Sequence, residues 1–290
     1  MKALFLMNMG GARSADELKQ FLYNMFSDKR IINSPIRYLL APIIANLRYK
    51  KVWKNYELIG GSPIYKHTDN LVKKVSQKIN IPVFGVMRYT SPRAKEIIEK
   101  YDIKEAILFP LYPQFSTTTT LSSFDDVKGI KTYKIERFYE DKEFNQIIIQ
   151  KILSSVDDTK NTNLIFSAHG LPKKVIQNGD SYEKEINHHV EILSKMLPEF
   201  KSINLAYQSK VGPMEWLEPS LDDMLKNFKN QKVVIYPISF IIDNSETDLE
   251  LKIEYAHLAK ELNIDYKVID VLNDDDRFVD FIVNKVKDFL

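Results

Sequence analysis

Cysteine is absent from the chain of 290 residues, which excludes disulfides, thiolate zinc sites, CxxC redox chemistry and cysteine-ligated iron–sulfur clusters. Any metal must therefore meet His, carboxylate, Met or carbonyl groups. A surplus of one charge is also lacking. Lys and Arg number 41 against 39 Asp and Glu, a net charge of +2, too little for a protein that coats nucleic acid by neutralising phosphates. No nucleic-acid partner is expected. No apolar run approaches the ~20 residues of a membrane helix, and the opening Met1-Lys2-Ala3-Leu4-Phe5-Leu6-Met7 is too short for a signal peptide. The expected location is the cytoplasm, with peripheral contact at the inner face of the membrane as the one membrane option. The dinucleotide, P-loop and nucleophile-elbow glycine motifs are missing too, which removes the commonest nucleotide-binding and serine-hydrolase readings of an α/β chain.

What is present is a folded composition, 44% hydrophobic and 28% charged, at a length that suits about two domains. Short apolar runs alternate with longer stretches of helical periodicity, the pattern of a parallel sheet covered on both faces. The runs are Ala3 to Met7, Pro82 to Val86, Ala106 to Leu111, Thr132 to Ile135, Asn163 to Phe166, Ile203 to Ala206, Val233 to Ile238 and Tyr266 to Val271. The second and third runs of each half end alike, with Phe109-Pro110-Leu111 matching Tyr236-Pro237-Ile238. The expected fold is α/β, as two similar Rossmann-like lobes. Each is a four-stranded parallel sheet flanked by helices, and the active-site cleft lies between the lobes. Residues 1–140 form the first lobe and 141–274 the second. Residues 275–290 form an amphipathic C-terminal helix, free to pack on either lobe and expected on the first.

Between the first two runs lie far more residues than one crossover helix needs, so 29–63 is expected to form a lid. Within it, residues 29 to 56 hold Lys29, Arg30, Arg37, Arg48, Lys50, Lys51 and Lys54, with no acid, around Ile36, Leu39, Leu40, Ile43, Ile44 and Leu47. An apolar face with a basic rim fits an anionic amphipathic ligand or a membrane surface. The alternative is a core helix with one solvated face.

In open α/β sheets ligands bind beyond the carboxyl ends of the strands. His169 stands there, ahead of Gly170. With an ordinary value near 6.5 it is able to accept a proton at neutral pH, although a structural hydrogen-bonding role fits the same position. His67, His188, His189 and His257 read as surface residues. In the segment from Asp243 to Glu254, Glu246, Glu250 and Glu254 fall four residues apart and make one carboxylate ridge if the segment is helical. Asp243 with Glu246 also reads as a capping box. Three like charges on one face suit the passage or binding of a cation, and spacing leaves both readings open.

The chain also holds, in order, Asn8-Met9-Gly10-Gly11, Gly60-Gly61-Ser62-Pro63-Ile64, Met87-Arg88-Tyr89, the run from Pro110 to Ser116, the run from Phe166 to Pro172, the run from Tyr207 to Pro213, and Trp216-Leu217. Taken together, these motifs resemble the ferrochelatase family. With the acidic segment they span residues 1 to 255. The resemblance implies insertion of ferrous iron into protoporphyrin IX, giving protohaem in haem biosynthesis. It matches His169 to the catalytic histidine and Glu246 to the active-site glutamate, with His169, Glu246, Glu250 and Glu254 handling metal. Met9, Arg88, Tyr89, Trp216 and Phe240 match porphyrin-lining positions, and Arg48, Lys51 and Ser62 match groups near the propionates. Iron is then a substrate, no prosthetic group or iron–sulfur cluster is expected, and the protein is expected to be a short bacterial-type monomer. The chain departs from the family at Asn244, where many members carry histidine; an amide orients Glu246 but exchanges no proton near neutral pH. A cobalt-inserting or coproporphyrin-specific chelatase and a non-catalytic porphyrin or haem carrier are the competing readings.

Overall fold

In the computed structural model, which describes residues 1–210 and 213–290, all eight apolar runs form strands, and every strand pairing within the two sheets is parallel. Val211 and Gly212, inside the Tyr207 to Pro213 motif, lie outside the described residues. The chain divides into two units, Met1–Arg137 with Asn273–Leu290, and Phe138–Leu272.

In the first unit β1 (Lys2–Asn8), β2 (Val83–Met87), β3 (Glu105–Pro110) and β4 (Lys131–Lys134) lie in the order β2-β1-β3-β4. The central strand is buried from Ala3 to Asn8, as a strand covered on both faces must be, and this is why it reads as an unbroken apolar run. Helices α1 (Ala15–Phe26), α2 (Arg37–Glu57) and α3 (Ile64–Ser76) occupy the long stretch after β1, and α4 (Ala94–Tyr101) and α5 (Ser122–Asp126) follow β2 and β3. Ser14 caps α1 by accepting the Glu17 N–H at 3.2 Å. The Glu17 carboxylate accepts the Arg13 N–H instead of that of Ser14, at 2.7 Å, so the box closes one residue early.

The second unit carries α6 (Lys142–Leu153), β5 (Asn163–His169), α7 (Lys173–Gln177), α8 (Tyr182–Met196), β6 (Ser202–Gln208), α9 (Leu221–Lys226), β7 (Lys232–Pro237), α10 (Tyr255–Glu261) and β8 (Asp265–Val268). Its strands lie in the order β6-β5-β7-β8, the arrangement of the first unit repeated. In each unit the helix after the third strand opens with a π-helical segment, Thr117–Leu121 before α5 and Glu246–Glu254 before α10. The last helix, α11 (Asp276–Val286), belongs to the first unit. There Phe281 meets Phe109 edge to face at 6.5 Å, and Lys74 holds Asp274 and Asp276 at 3.0 and 2.9 Å.

Helix α2 turns its small residues inward. Ala45 and Tyr56 join Leu18 and Leu22 of α1 in a small core, while Leu39 and Leu47 are 72% and 77% exposed and Ile36, Tyr38 and Ile43 are exposed beside them. The apolar stripe thus faces outward. No helix among the described residues is long and apolar enough to cross a membrane.

One histidine departs from expectation. His189 is not a surface residue: it is fully buried on α8, with Nε2 2.8 Å from Asn145 Oδ1 and its ring stacked on Phe144. The Asn145 amide donates to the Tyr139 carbonyl, so Asn145 Oδ1 accepts from the imidazole N–H. Burial, then the neighbouring His188, push it down to about 3. The unfolded chain therefore binds a proton near pH 6.5 that the folded chain refuses. This stability is fully present above about pH 6.5 and falls, by at most about 1.4 kcal/mol per pH unit, as pH drops toward the folded value. In urea unfolding at pH 7 and pH 5, His189→Gln is expected to lose less stability on acidification than the parent. An equal loss in both proteins counts against the assignment.

Candidate functional site

The repeat fixes which residues occupy equivalent strand ends. Leu111 N–H bonds Met7 O and Ile238 N–H bonds Ser167 O, while Met87 N–H bonds Pro92 O and Tyr207 N–H bonds Pro219 O. Met7 then corresponds to Ser167, so Met9 corresponds to His169 and Gly10 to Gly170. One unit places a thioether at this strand end and the other an imidazole. Both glycines are required by crowding. A Cβ at Gly170 would stand 2.7 Å from Gln208 O, and one at Gly10, where φ is +93°, would stand 2.3 Å from Thr90 Oγ1.

Strand β5 continues past its apolar run, which ends at Phe166, so that His169 is its last paired residue, opposite Gln208. The His169 backbone is held on both sides: the N–H donates to Ser239 Oγ at 3.0 Å and the carbonyl accepts from Tyr182 OH at 3.0 Å. The imidazole is thereby aimed at the π-helix, where Nδ1 lies 2.7 Å from Glu246 Oε2. The side chains of His169 and Glu246 remain 35% and 32% exposed. Glu246 is fixed from its own backbone, since its N–H donates to Asn244 Oδ1 at 2.8 Å and the Asn244 N–H donates to Thr247 Oγ1 at 2.9 Å. The expected capping box of Asp243 with Glu246 is replaced by this Asn244 turn. Asn244 orients Glu246 through the main chain, not through its carboxylate.

Ser209 supplies what residue type and spacing do not reveal. Held at φ +67°, a conformation uncommon outside glycine, it presents both its N–H and its hydroxyl to Glu250, at 2.7 and 2.5 Å, and the hydroxyl is also 3.2 Å from Glu246 Oε2. One hydroxyl therefore stands between two carboxylates. Gln208 completes the group, accepting from Ser167 and reaching Glu250 at 3.5 Å.

The charges follow from this packing. Burial alone pushes the imidazole down, but the Glu246 carboxylate, supported by Glu250, more than reverses that and holds His169 above its ordinary value. Glu246 is opposed by burial and held below its ordinary value by the imidazolium and the Ser209 hydroxyl. Glu250 is placed differently. Burial, then the charge of Glu246, push it up to about 7 against the help of Ser209 and the more distant imidazolium. Both shifts favour the ion pair of His169 with Glu246, and beside it stands a carboxyl that titrates near neutrality. His169 is consequently not an isolated imidazole but one whose charged form the neighbouring carboxylate favours.

Glu254 is exposed at the far end of the π-helix. Among the described residues no group of three or more His, Asp and Glu side chains is arranged to hold a metal ion. The four residues expected to handle metal do not form a resident chelate, because His169, Glu246 and Glu250 are engaged with one another and with Ser209. Phe240 stands edge-on to His169 at 6.4 Å. Trp216 is bridged to Pro172, with its indole 3.6 Å from where a Gly170 Cβ would be, so both aromatics belong to the same neighbourhood as the imidazole.

The first unit has its own cluster. The Arg88 guanidinium donates to Ser122, Asp28 and Asp126 at 2.8, 2.9 and 3.2 Å, and the Tyr89 hydroxyl donates to Asp28 at 2.9 Å. Ser122 also donates to Asp28. Against the cost of burial, the Ser122 hydroxyl, the Arg30 N–H and the Arg88 charge keep the Asp28 carboxyl below its ordinary value. Tyr89, expected to line a porphyrin pocket, is 0% exposed; a phenol closed in by its own unit offers no surface to a ligand. Met9 and Arg48 are half-buried, Lys51 is exposed on α2, and Ser62 is buried with its backbone N–H on Ala12 O.

A sequence profile described as ferrochelatase matches residues 1–290. A ferrochelatase from a Nitratiruptor species is 45% identical, over 98% of this chain and 98% of its own. One from Campylobacter concisus is 48% identical, over 99% and 97%. Among solved structures, SirB from Bacillus subtilis with Fe3+ superposes with a TM-score of 0.59 at 9% identity, covering 99% of this chain and 94% of that one. CbiX, the terminal enzyme for biosynthesis of siroheme in denitrifying bacteria, gives 0.53 at 9%, covering 100% and 99%. At that identity these two share the fold alone.

Proposed function

The chain belongs to the ferrochelatase family, and we propose on that premise that it inserts ferrous iron into protoporphyrin IX, forming protohaem in haem biosynthesis. The observation that carries the reading is the close contact of His169 with Glu246, at 2.7 Å, with Glu250 one hydroxyl away. Insertion exchanges one Fe2+ for two pyrrole protons, so the enzyme must supply proton acceptors where the ring nitrogens open. Glu246, paired with the His169 imidazolium, and Glu250, poised near neutrality, are two such acceptors. The imidazolium keeps Glu246 ionised and ready. Trp216 and Phe240 offer apolar faces to the ring. Binding energy spent on bending the macrocycle exposes the nitrogen lone pairs and favours the transition state.

Glu254 and Glu250 are proposed to pass iron toward Glu246, which suits carboxylates that do not assemble into a resident site. Met9, Arg88, Arg48, Lys51 and Ser62 are proposed porphyrin contacts in the first unit, with Arg48 and Lys51 acting through the propionates. Iron is a substrate here, and the protein needs no prosthetic group. It is proposed to act as a cytoplasmic monomer whose exposed apolar stripe on α2, rimmed by basic residues, makes peripheral contact with an anionic membrane.

The test is anaerobic turnover with ferrous iron and protoporphyrin, with coproporphyrin and cobalt as competitors. Protohaem formation faster than the uncatalysed rate is expected; binding without turnover would support a carrier instead. Reversing the charges of Arg48 and Lys51 together is expected to raise KM for the porphyrin more than it lowers kcat, since binding common to ground and transition states is removed. An unchanged KM refutes the propionate contacts. The same variant, sedimented with anionic vesicles at two ionic strengths, is expected to bind less than the parent.

A further inference from the structure

The helix that carries Glu246 and Glu250 has a second ridge. Asp248 and Lys252 are also four residues apart, and being displaced by two from the first ridge they leave on the other side of the helix. There Lys252 Nζ lies 2.8 Å from Asp248, 2.8 Å from Asp270 and 3.7 Å from Asp243. These carboxylates come from separate segments. Asp243 precedes the helix after β7, Asp248 is within it, and Asp270 follows β8. Asp243 is nearly closed off, its side chain 5% exposed, and Lys252 is 32% exposed. Burial works against the ammonium, but the hydrogen bonds to Asp248 and Asp270 and the charge of Asp243 hold it above its ordinary value, so it is a permanent cation.

A helix with i→i+5 bonding is rare and appears mostly as a single-turn bulge, frequently at functional sites. Here Leu251 and Tyr255 anchor one side in the core of the second unit, and Tyr266 OH bonds the Leu251 carbonyl at 3.0 Å. These contacts hold the helix against the sheet. The lysine bridge is what joins its start, its middle and the end of β8 at one point.

We propose that Lys252 is a positioning residue for metal insertion: by bridging Asp243, Asp248 and Asp270 it sets how the π-helix is rotated, and so where Glu246 and Glu250 stand relative to His169 and Ser209. The inference rests on the reading of those carboxylates as proton and iron acceptors. Without the ammonium three carboxylates repel at one point, the Asp243 segment is displaced, and Glu246 three residues further on moves with it. Arginine keeps the charge and spans more than one carboxylate.

The full-length Lys252→Met and Lys252→Arg variants test this in anaerobic turnover at saturating iron and protoporphyrin, with porphyrin affinity from fluorescence titration and the folded fraction from thermal unfolding. A displacement of about 1 Å costs up to roughly 10²-fold in rate. The expected result is a loss of about tenfold or more in kcat per folded molecule for Lys252→Met, unchanged porphyrin affinity, and recovery of most of the rate in Lys252→Arg. A kcat for Lys252→Met within about twofold of the parent, or an arginine variant as impaired as the methionine one, overturns the proposal. Should Lys252→Met not fold, the Asp248→Asn and Asp270→Asn double variant removes two anchors and is read the same way. Glu246→Gln runs beside them. If it is fully active the underlying reading fails; if it is inactive while Lys252→Met is unimpaired, only the positioning role fails.

Discussion

Replacement of His169 by alanine is expected to lower turnover by about 10² to 10⁴, the range for disabling a positioned proton acceptor, here Glu246, while the fold survives. The fold survives because the anchors at this position are main-chain ones: the His169 N–H on Ser239 and the Tyr182 hydroxyl on the His169 carbonyl remain when the imidazole is removed. What is lost is the cation that faces Glu246. With it gone, burial and Glu250 act on Glu246 with only the Ser209 hydroxyl against them, and its carboxyl rises from below its ordinary value toward that of Glu250. At neutral pH the pair then holds a proton it should be free to accept. The residual activity of His169→Ala is therefore expected to climb with pH to a higher value than in the parent, a signature that a merely structural histidine would not produce. Porphyrin binding is measured in parallel and should change little. Turnover within about threefold of the parent removes His169 from the mechanism.

How much of this is legible in the sequence depends on whether the signal is local. The strands are legible, because a parallel strand buried on both faces is an apolar run whatever surrounds it, and β1 from Ala3 to Asn8 shows this directly. The end of β5 is less so, since Ser167 and His169 are not apolar and pair only because Ala206 and Gln208 lie alongside. The carboxylate ridge is visible as spacing, but four-residue spacing fits an α-helix and a π-helix equally, so the wide turn is not. Burial of His189 is invisible without Asn145, which lies 44 residues away. Ser209 sits within a strand-end motif, yet its value lies in a left-handed backbone that turns two donors on Glu250, and nothing in the residue type announces that. Tyr89 errs in the opposite direction. The resemblance matches it to a porphyrin-lining position, whereas Asp28, unremarkable in sequence, draws it inside.

Glu246→Gln is expected to lower kcat by about 10²-fold or more at saturating iron, because the amide neither accepts a pyrrole proton nor pairs with the imidazolium. The resemblance assigns Glu246, Glu250 and Glu254 alike to metal handling. The geometry regroups them: Glu250 shares the Ser209 hydroxyl with Glu246, and Glu254 is exposed at the far end of the helix. Glu254→Gln should then raise KM for iron with kcat near that of the parent, while Glu250→Gln should lower kcat. The two inner carboxylates are separated by their pH dependence. Glu250 sits at about 7; below that it carries a proton and accepts none, above it it is a carboxylate and does. Parent turnover is therefore expected to rise with pH through about 7, and Glu250→Gln to lack that rise. Full activity in Glu246→Gln sinks the mechanism, and a rise through pH 7 that persists in Glu250→Gln reassigns the titrating group. If these acids served only to begin a helix, each substitution would instead cost about 0.5 to 2 kcal/mol of stability and leave kcat per folded molecule unchanged. The structure already argues against that alternative, since the turn before the π-helix is closed by the side chains of Asn244 and Thr247, while the carboxylates of Glu246 and Glu250 are turned to His169 and Ser209.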